Sequence, residues 1–245
     1  MAGRDHASSF PGEPQCLLLC TEPQNGQFLF AKPFARQTWA SGFTPDGSPI
    51  VLPNSHPTST GSIVSPASNG ATNWWAPSFD PKRKLLFVPS ADATDTYFNV
   101  ANEEFREGRT FLGGGYQRAH TQPTSLALRA IEVSTGRMRW NSTLETGGAE
   151  VPGEMGGVLS TDGNLVFAGY DSEFHAFDSD TGMSLWKTLL GGVVHAATIS
   201  YAIGNQQYIA VFAGRTLFVF SLPPGSSMRE HTLRSAPGAS VVRGE

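Results

Sequence analysis

The chain has 245 residues, 39% of them hydrophobic and only 16% charged, with 27 glycines and 17 prolines. That mixture is too apolar for a disordered protein and too rich in turn formers for a helical bundle, which leaves an all-β protein of many short strands. A net charge of −4 with no basic stripe argues against a nucleic-acid partner, and no apolar run approaches the roughly 20 residues that cross a bilayer.

In chain order, residues 1–20 show no sustained period and read as an irregular leader. Their one apolar patch, Cys-Leu-Leu-Leu-Cys at 16–20, is shorter than the ~7–15-residue core of a secretory signal, so no signal peptide is legible. Cys16 and Cys20, the two cysteines of the chain, fit neither a C-x-x-C motif nor a four-ligand zinc set and read as free thiols. Residues 21–225 carry strand patterns and a repeat. Residues 226–245 are polar and read as a disordered tail.

The repeat is explicit. Ala130-Ile-Glu-Val-Ser-Thr-Gly-Arg-Met-Arg-Trp140 matches Ala176-Phe-Asp-Ser-Asp-Thr-Gly-Met-Ser-Leu-Trp186 at an offset of 46 residues, and a degenerate copy ends at Phe30. A strand ending in Asp or Glu, a Thr-Gly turn and a Trp four residues after the Gly describe a hairpin with a wedge residue. Trp140 and Trp186 are therefore expected in the core, each indole N–H bonded to a backbone carbonyl between neighbouring sheets. Repeats of ~40–50 residues with four strands each are the signature of β-propeller blades.

Further strands are expected at 85–90, 165–169, 173–178, 196–201, 208–213 and 217–222. Asp46-Gly47, Asn69-Gly70 and Asp162-Gly163 mark turns. The segment from Asn99 to Pro123, with Gly113-Gly114-Gly115, reads as a long loop; no phosphate-loop context surrounds the glycines. His175 and His195 fall in strand patterns and read as core or rim residues. Asp92 and Asp95 lack the ligand count of a Ca²⁺ loop. Asn141-Ser-Thr143 matches the glycosylation pattern but reads as a chance match.

Several long stretches resemble the PQQ-dependent (quinoprotein) alcohol dehydrogenases. They are Gly70-Ala-Thr-Asn-Trp-Trp-Ala-Pro-Ser-Phe-Asp-Pro81 with Leu85-Leu-Phe-Val-Pro-Ser90, preceded by Ala31-Lys-Pro-Phe34 and Trp39-Ala-Ser-Gly-Phe43. Gly156-Gly-Val-Leu-Ser-Thr161, Leu165-Val-Phe-Ala-Gly169, Gln207-Tyr-Ile-Ala-Val211 and Val219-Phe-Ser-Leu-Pro223 follow in the same order. The resemblance implies an all-β fold of W-motif propeller blades, about four of them, the C-terminal half of an eight-bladed quinoprotein propeller. It further implies pyrroloquinoline quinone (PQQ) and Ca²⁺ as cofactors of the intact enzyme, with the metal as Lewis acid on the quinone carbonyl and an Asp taking the alcohol proton as hydride passes to PQQ.

In that family the Ca²⁺ ligands, the catalytic Asp, a vicinal Cys pair and an aromatic platform lie upstream of the matched stretch. Cys16 and Cys20 are too far apart to be that pair. The resemblance thus gives this chain no catalytic or metal residue and implies that it is inactive alone. It carries over Asn73 and Trp74 as cofactor contacts, an amide donating to a quinone oxygen and an indole closing the pocket; the turn before Gly157, from Glu154, is a weaker candidate. An alcohol substrate, a cytochrome or quinone acceptor and a periplasmic location are the implied context. The reading from a different class is a non-catalytic propeller scaffold. Four blades of an open ring would also leave apolar faces bare, so self-association is expected.

Overall fold

The computed structural model describes residues 16–100, 104–119, 124–144, 155–222 and 240–242. Among the described residues the regular structure is strand, apart from a short 3-10 turn at Pro53–Ser55. The chain divides into two compact units, Met1–Asn73 with Asp92–Thr124, and Trp74–Ala91 with Ser125–Glu245. Strands are numbered along the chain.

The first unit holds two hairpins and a three-stranded sheet. Strands β1 (Leu17–Thr21) and β2 (Phe28–Pro33) pair antiparallel, as do β3 (Ala40–Phe43) and β4 (Pro49–Val51). The Asp46-Gly47 turn of the second hairpin places Gly47 at φ +90°, a conformation that glycine adopts without cost. Strands β5 (Ser62–Val64), β8 (Asp95–Asn99) and β9 (Gly114–Arg118) form the sheet in the order β5-β8-β9. Polar groups knit this unit. Buried Asp95 accepts the Ser68 N–H at 2.8 Å and pairs with Arg118 at 3.1 Å, while Ser65 and Thr94 share a hydrogen bond of 2.6 Å.

The second unit is built from three four-stranded antiparallel sheets, successive blades of a β-propeller. Blade A comprises β6 (Ser78–Asp80), β7 (Leu85–Asp92), β10 (Ser125–Glu132) and β11 (Met138–Leu144). Blade B comprises β12 (Leu159–Ser160), β13 (Leu165–Tyr170), β14 (Glu173–Asp178) and β15 (Ser184–Leu189). Blade C comprises β16 (Ile199–Ile203), β17 (Gln206–Ala213), β18 (Thr216–Ser221) and β19 (Ser240–Val242).

Alternation along each strand gives a blade two faces, and both are used. Phe87, Leu126 and Leu128 of blade A meet Met155, Val166, Ala168 and Phe177 on one face of blade B. Phe167, Phe174 and Ala176 on its other face meet Ile209, Val211 and Phe218 of blade C.

The repeat template is realised twice with the same register. Ala130 lies opposite Trp140 and Ala176 opposite Trp186, with a bulge one residue later in each pair. Gly136 and Gly182 sit at φ +68° and +73°. Asp178 folds its carboxylate over the turn, accepting N–H groups from Asp180 and Thr181 at 3.0 and 2.9 Å; Glu132, in the matching place, accepts from Thr135 and Arg137. Trp140 donates its indole N–H to Ser179 O at 2.9 Å, from blade A into the turn of blade B, as the template predicts. Trp186 reaches blade C edge-on against Phe220.

Three expectations are corrected. The leader assigned to 1–20 ends in strand β1, because Leu17-Leu-Leu-Cys20 has a partner in Phe28–Pro33 and a tight turn, closed by Gly26 N–H to Glu22 O at 2.8 Å, to reach it. The loop assigned to 99–123 contains β9, where Gly114 lies so close to the β8 backbone that a Cβ would fall 2.0 Å from Phe98 O; the glycines hide the strand pattern and permit the pairing. The tail assigned to 226–245 includes β19, which pairs with β18 as the fourth strand of blade C. At Asp162-Gly163 the left-handed residue is the next one, Asn164, at φ +68°. The other residues of 1–15 and of the tail lie outside the described residues.

Candidate functional site

Asn73 ends the first unit and Trp74 opens the second. Asn73 is exposed, and its Nδ2 makes one long hydrogen bond, 3.3 Å to Asn69 O, which leaves the carboxamide oxygen available. Trp74 is 62% exposed, whereas Trp75 is only 9% exposed and joins the core between blades A and B. The two indoles meet edge to face at 6.3 Å. Of the tandem pair, one ring is thus structural and the other is held out on it with a free face.

Behind these rings, three backbone segments of the second unit converge. They lead into β6, β12 and β16, the first strand of each blade. A Cβ at Gly156 would stand 2.6 Å from Ala196 O, and one at Gly157 would stand 2.7 Å from Ala197 Cβ and 3.3 Å from Ala76 Cβ. Gly156 and Gly157 therefore permit close packing between blades; Glu154 lies outside the described residues. At this convergence the indole N–H of Trp75 and the hydroxyl of Thr198, both buried, have no hydrogen-bond partner among the described residues.

The other sequence candidates have structural surroundings. His175 is buried in blade B, with Nε2 2.9 Å from Glu173 Oε2 and Nδ1 3.1 Å from Ser184 Oγ, its ring stacked on Phe177 at 5.3 Å. Glu173 also accepts from Tyr170 and Lys187, at 2.8 and 3.4 Å. Burial holds the His175 imidazole below its ordinary pKa; the Glu173 carboxylate pulls the other way and loses. His195 is exposed on the segment before β16, not in a strand. Asp92 accepts the Arg36 N–H at 2.8 Å, and Asp95 is engaged by Arg118. Burial pushes the Cys16 thiol up to about 11, which favours the protonated thiol at neutral pH. No group of three or more His, Cys, Asp or Glu side chains among the described residues is arranged to hold a metal. The sequence gives no sign that the Trp75 N–H and the Thr198 hydroxyl end up buried without a partner among the described residues, because that follows from how the blades pack.

The family model for the glucose/ethanol/alcohol dehydrogenase β-propeller domain matches residues 122–209. The chain is 32% identical over 202 residues to the quinoprotein alcohol dehydrogenase PedH of Pseudomonas putida, covering 78% of this chain and 32% of that one. The chain belongs to the PQQ-dependent alcohol dehydrogenase family. Another family member, the 1-butanol dehydrogenase (quinone) of Thauera butanivorans, is 31% identical over 215 residues, covering 83% of this chain and 33% of its own. The crystal structure of the quinohaemoprotein alcohol dehydrogenase from Comamonas testosteroni superposes with a TM-score of 0.74 at 25% identity, over 82% of this chain and 31% of that one. This quinoprotein-type chain thus spans about a third of the length of the relatives it matches.

Proposed function

We propose that the chain supplies blades and part of the cofactor wall of a PQQ-dependent, alcohol-oxidising propeller, with Asn73 and Trp74 as its cofactor contacts. One observation carries this reading: Trp74, within the 70–81 stretch, stands out with an open indole face on the buried Trp75.

PQQ is a flat, tricarboxylated quinone, so its pocket needs an aromatic surface and polar partners for the rim. Trp74 offers the surface, and Asn73 offers a carboxamide with one weak internal bond. When bound, PQQ supplies the acceptor for the hydride of an alcohol. Trp74 excludes water from the ring face it covers, and the Asn73 amide orients a carbonyl or carboxylate edge. No group of three or more His, Cys, Asp or Glu side chains among the described residues fits a Ca²⁺ cage, and the roles given to Asn73 and Trp74 do not involve the metal. A proton acceptor for the alcohol is likewise not assigned, and the chain by itself is not expected to turn over. A cytochrome or quinone acceptor and a periplasmic site of action belong to the same reading.

The test is a titration of PQQ into the purified chain, followed by tryptophan fluorescence corrected for absorption. Saturable quenching is expected, weakened about 5-fold or more by Asn73→Ala and by Trp74→Ala, with melting temperatures unchanged because both side chains are exposed. Quenching that does not saturate, or that ignores both substitutions, sinks the cofactor wall and returns the scaffold reading. Added Ca²⁺, alcohol and a redox dye should give no dye reduction by the chain alone.

A further inference from the structure

Blade B holds a hydroxyl, an imidazole and a carboxylate in one line of hydrogen bonds. Ser184 on β15 is exposed, and its Oγ lies 3.1 Å from Nδ1 of His175 on β14. The imidazole is buried, and its Nε2 lies 2.9 Å from Oε2 of Glu173. The carboxylate is itself anchored, by the Tyr170 hydroxyl at 2.8 Å and by Lys187 at 3.4 Å. A hydroxyl, a base and a group that orients the base, each within hydrogen-bond reach of the next, are the parts of an activated nucleophile.

The register of the blade builds this line. Lys187 lies opposite His175, and past the bulge Ser184 lies opposite Phe177, on which the imidazole stacks. Tyr170 flanks the ring as well. Burial holds the imidazole below its ordinary pKa, so at neutral pH it is the unprotonated base. The Glu173 carboxylate takes the one ring proton on Nε2 and leaves Nδ1 to accept from Ser184. Blades A and C both pack on blade B, so the line does not belong to an end of the blade series. β15 is the edge strand of its sheet, and backbone N–H groups along that edge offer donors to an oxygen that gains charge.

We propose that Ser184 is a nucleophile for acyl transfer from small carboxylic esters, with His175 as its base and Glu173 as the positioning residue of the ring. Ser184 Oγ bonds to the ester carbonyl carbon as its proton passes to His175 Nδ1. The bond from that carbon to the alcohol oxygen breaks, and the alcohol leaves with the proton from His175. Water then repeats the sequence, releasing the acid and restoring the hydroxyl. Neither Asn73 nor Trp74 takes part, so the proposal does not rest on cofactor binding.

A fluorophosphonate probe, which leaves a stable adduct on an activated serine as fluoride departs, tests this on the purified chain. Mass spectrometry should find the adduct on Ser184 and not on Ser200, also exposed but bonded to Gln207 Nε2 in place of an imidazole. Ser184→Ala should abolish the adduct, and His175→Gln should slow it about 100-fold, the loss of a general base. Glu173→Gln should slow it about 10-fold or more with the near-ultraviolet circular dichroism unchanged, a separation that a purely structural carboxylate would not give. Nitrophenolate release from p-nitrophenyl acetate should exceed that of Ser184→Ala about 10-fold or more. Near-ultraviolet circular dichroism checks the folding of every variant, and if His175→Gln does not fold, His175→Asn is measured in its place by the same criterion. No adduct on Ser184, an adduct on Lys187 or Ser200 in its stead, or labelling and ester release indifferent to these substitutions would overturn the proposal.

Discussion

At the scale of single residues, His175 shows how a polar group is kept inside a blade. Its ring lies between Tyr170 and Phe177, and both nitrogens are engaged, one by Glu173 and one by Ser184. With Nε2 donating to the carboxylate, Nδ1 is left to accept from the serine hydroxyl, so the neutral ring satisfies every polar atom in the chain of bonds. The charged groups facing it are Glu173 and Lys187. Because burial lowers the folded-state pKa below the unfolded 6.5, the unfolded chain binds the proton first as pH falls. The contribution of His175 is therefore complete above pH 6.5 and is lost as pH falls through its folded value. Glu173 is also held low by its hydrogen-bond donors, against burial, and its contribution is lost only below its ordinary 4.5. His175→Gln should cost about 1–2 kcal/mol at pH 7.5, for two weakened hydrogen bonds, and should flatten the stability profile between pH 6.5 and the folded pKa. Urea melts across pH would read this; an unchanged slope in that window would contradict it. The sequence marked His175 as a core residue correctly but gave no sign of Glu173 or Ser184 as its partners, because those meet through strand register and a bulge.

At the scale of the element, the Thr-Gly hairpin joins a turn to a blade interface. Gly182 is constrained twice: its φ is +73°, and a Cβ would stand 2.5 Å from Trp140 Cε3. Gly191 has almost the same φ, +72°, but open space around it. Comparing the two separates backbone strain from packing. Gly191→Ala should cost about 1 kcal/mol, the left-handed penalty alone. Gly182→Ala should cost about 2–4 kcal/mol, because the indole must also move off its place between blades. Equal losses in denaturant melts would mean that Trp140 yields freely and that the wedge is not rigid. This hairpin was the most legible part of the chain, since one local motif encodes the acidic turn residue, the glycine and the tryptophan together. The strand β9 was the least legible. Its Gly114 serves the close pairing with β8 that its composition conceals, and Asp95, which on sequence only lacks the company of a Ca²⁺ loop, is the buried partner of Arg118 at the end of that strand.

At the scale of the whole molecule, the family and blade architecture were readable because the motifs are long, ordered and periodic, while the site was readable only in part. Asn73 and Trp74 stood in one stretch, but the unpaired Trp75 and Thr198 atoms lie on two segments that packing against the Gly156–Gly157 segment brings together.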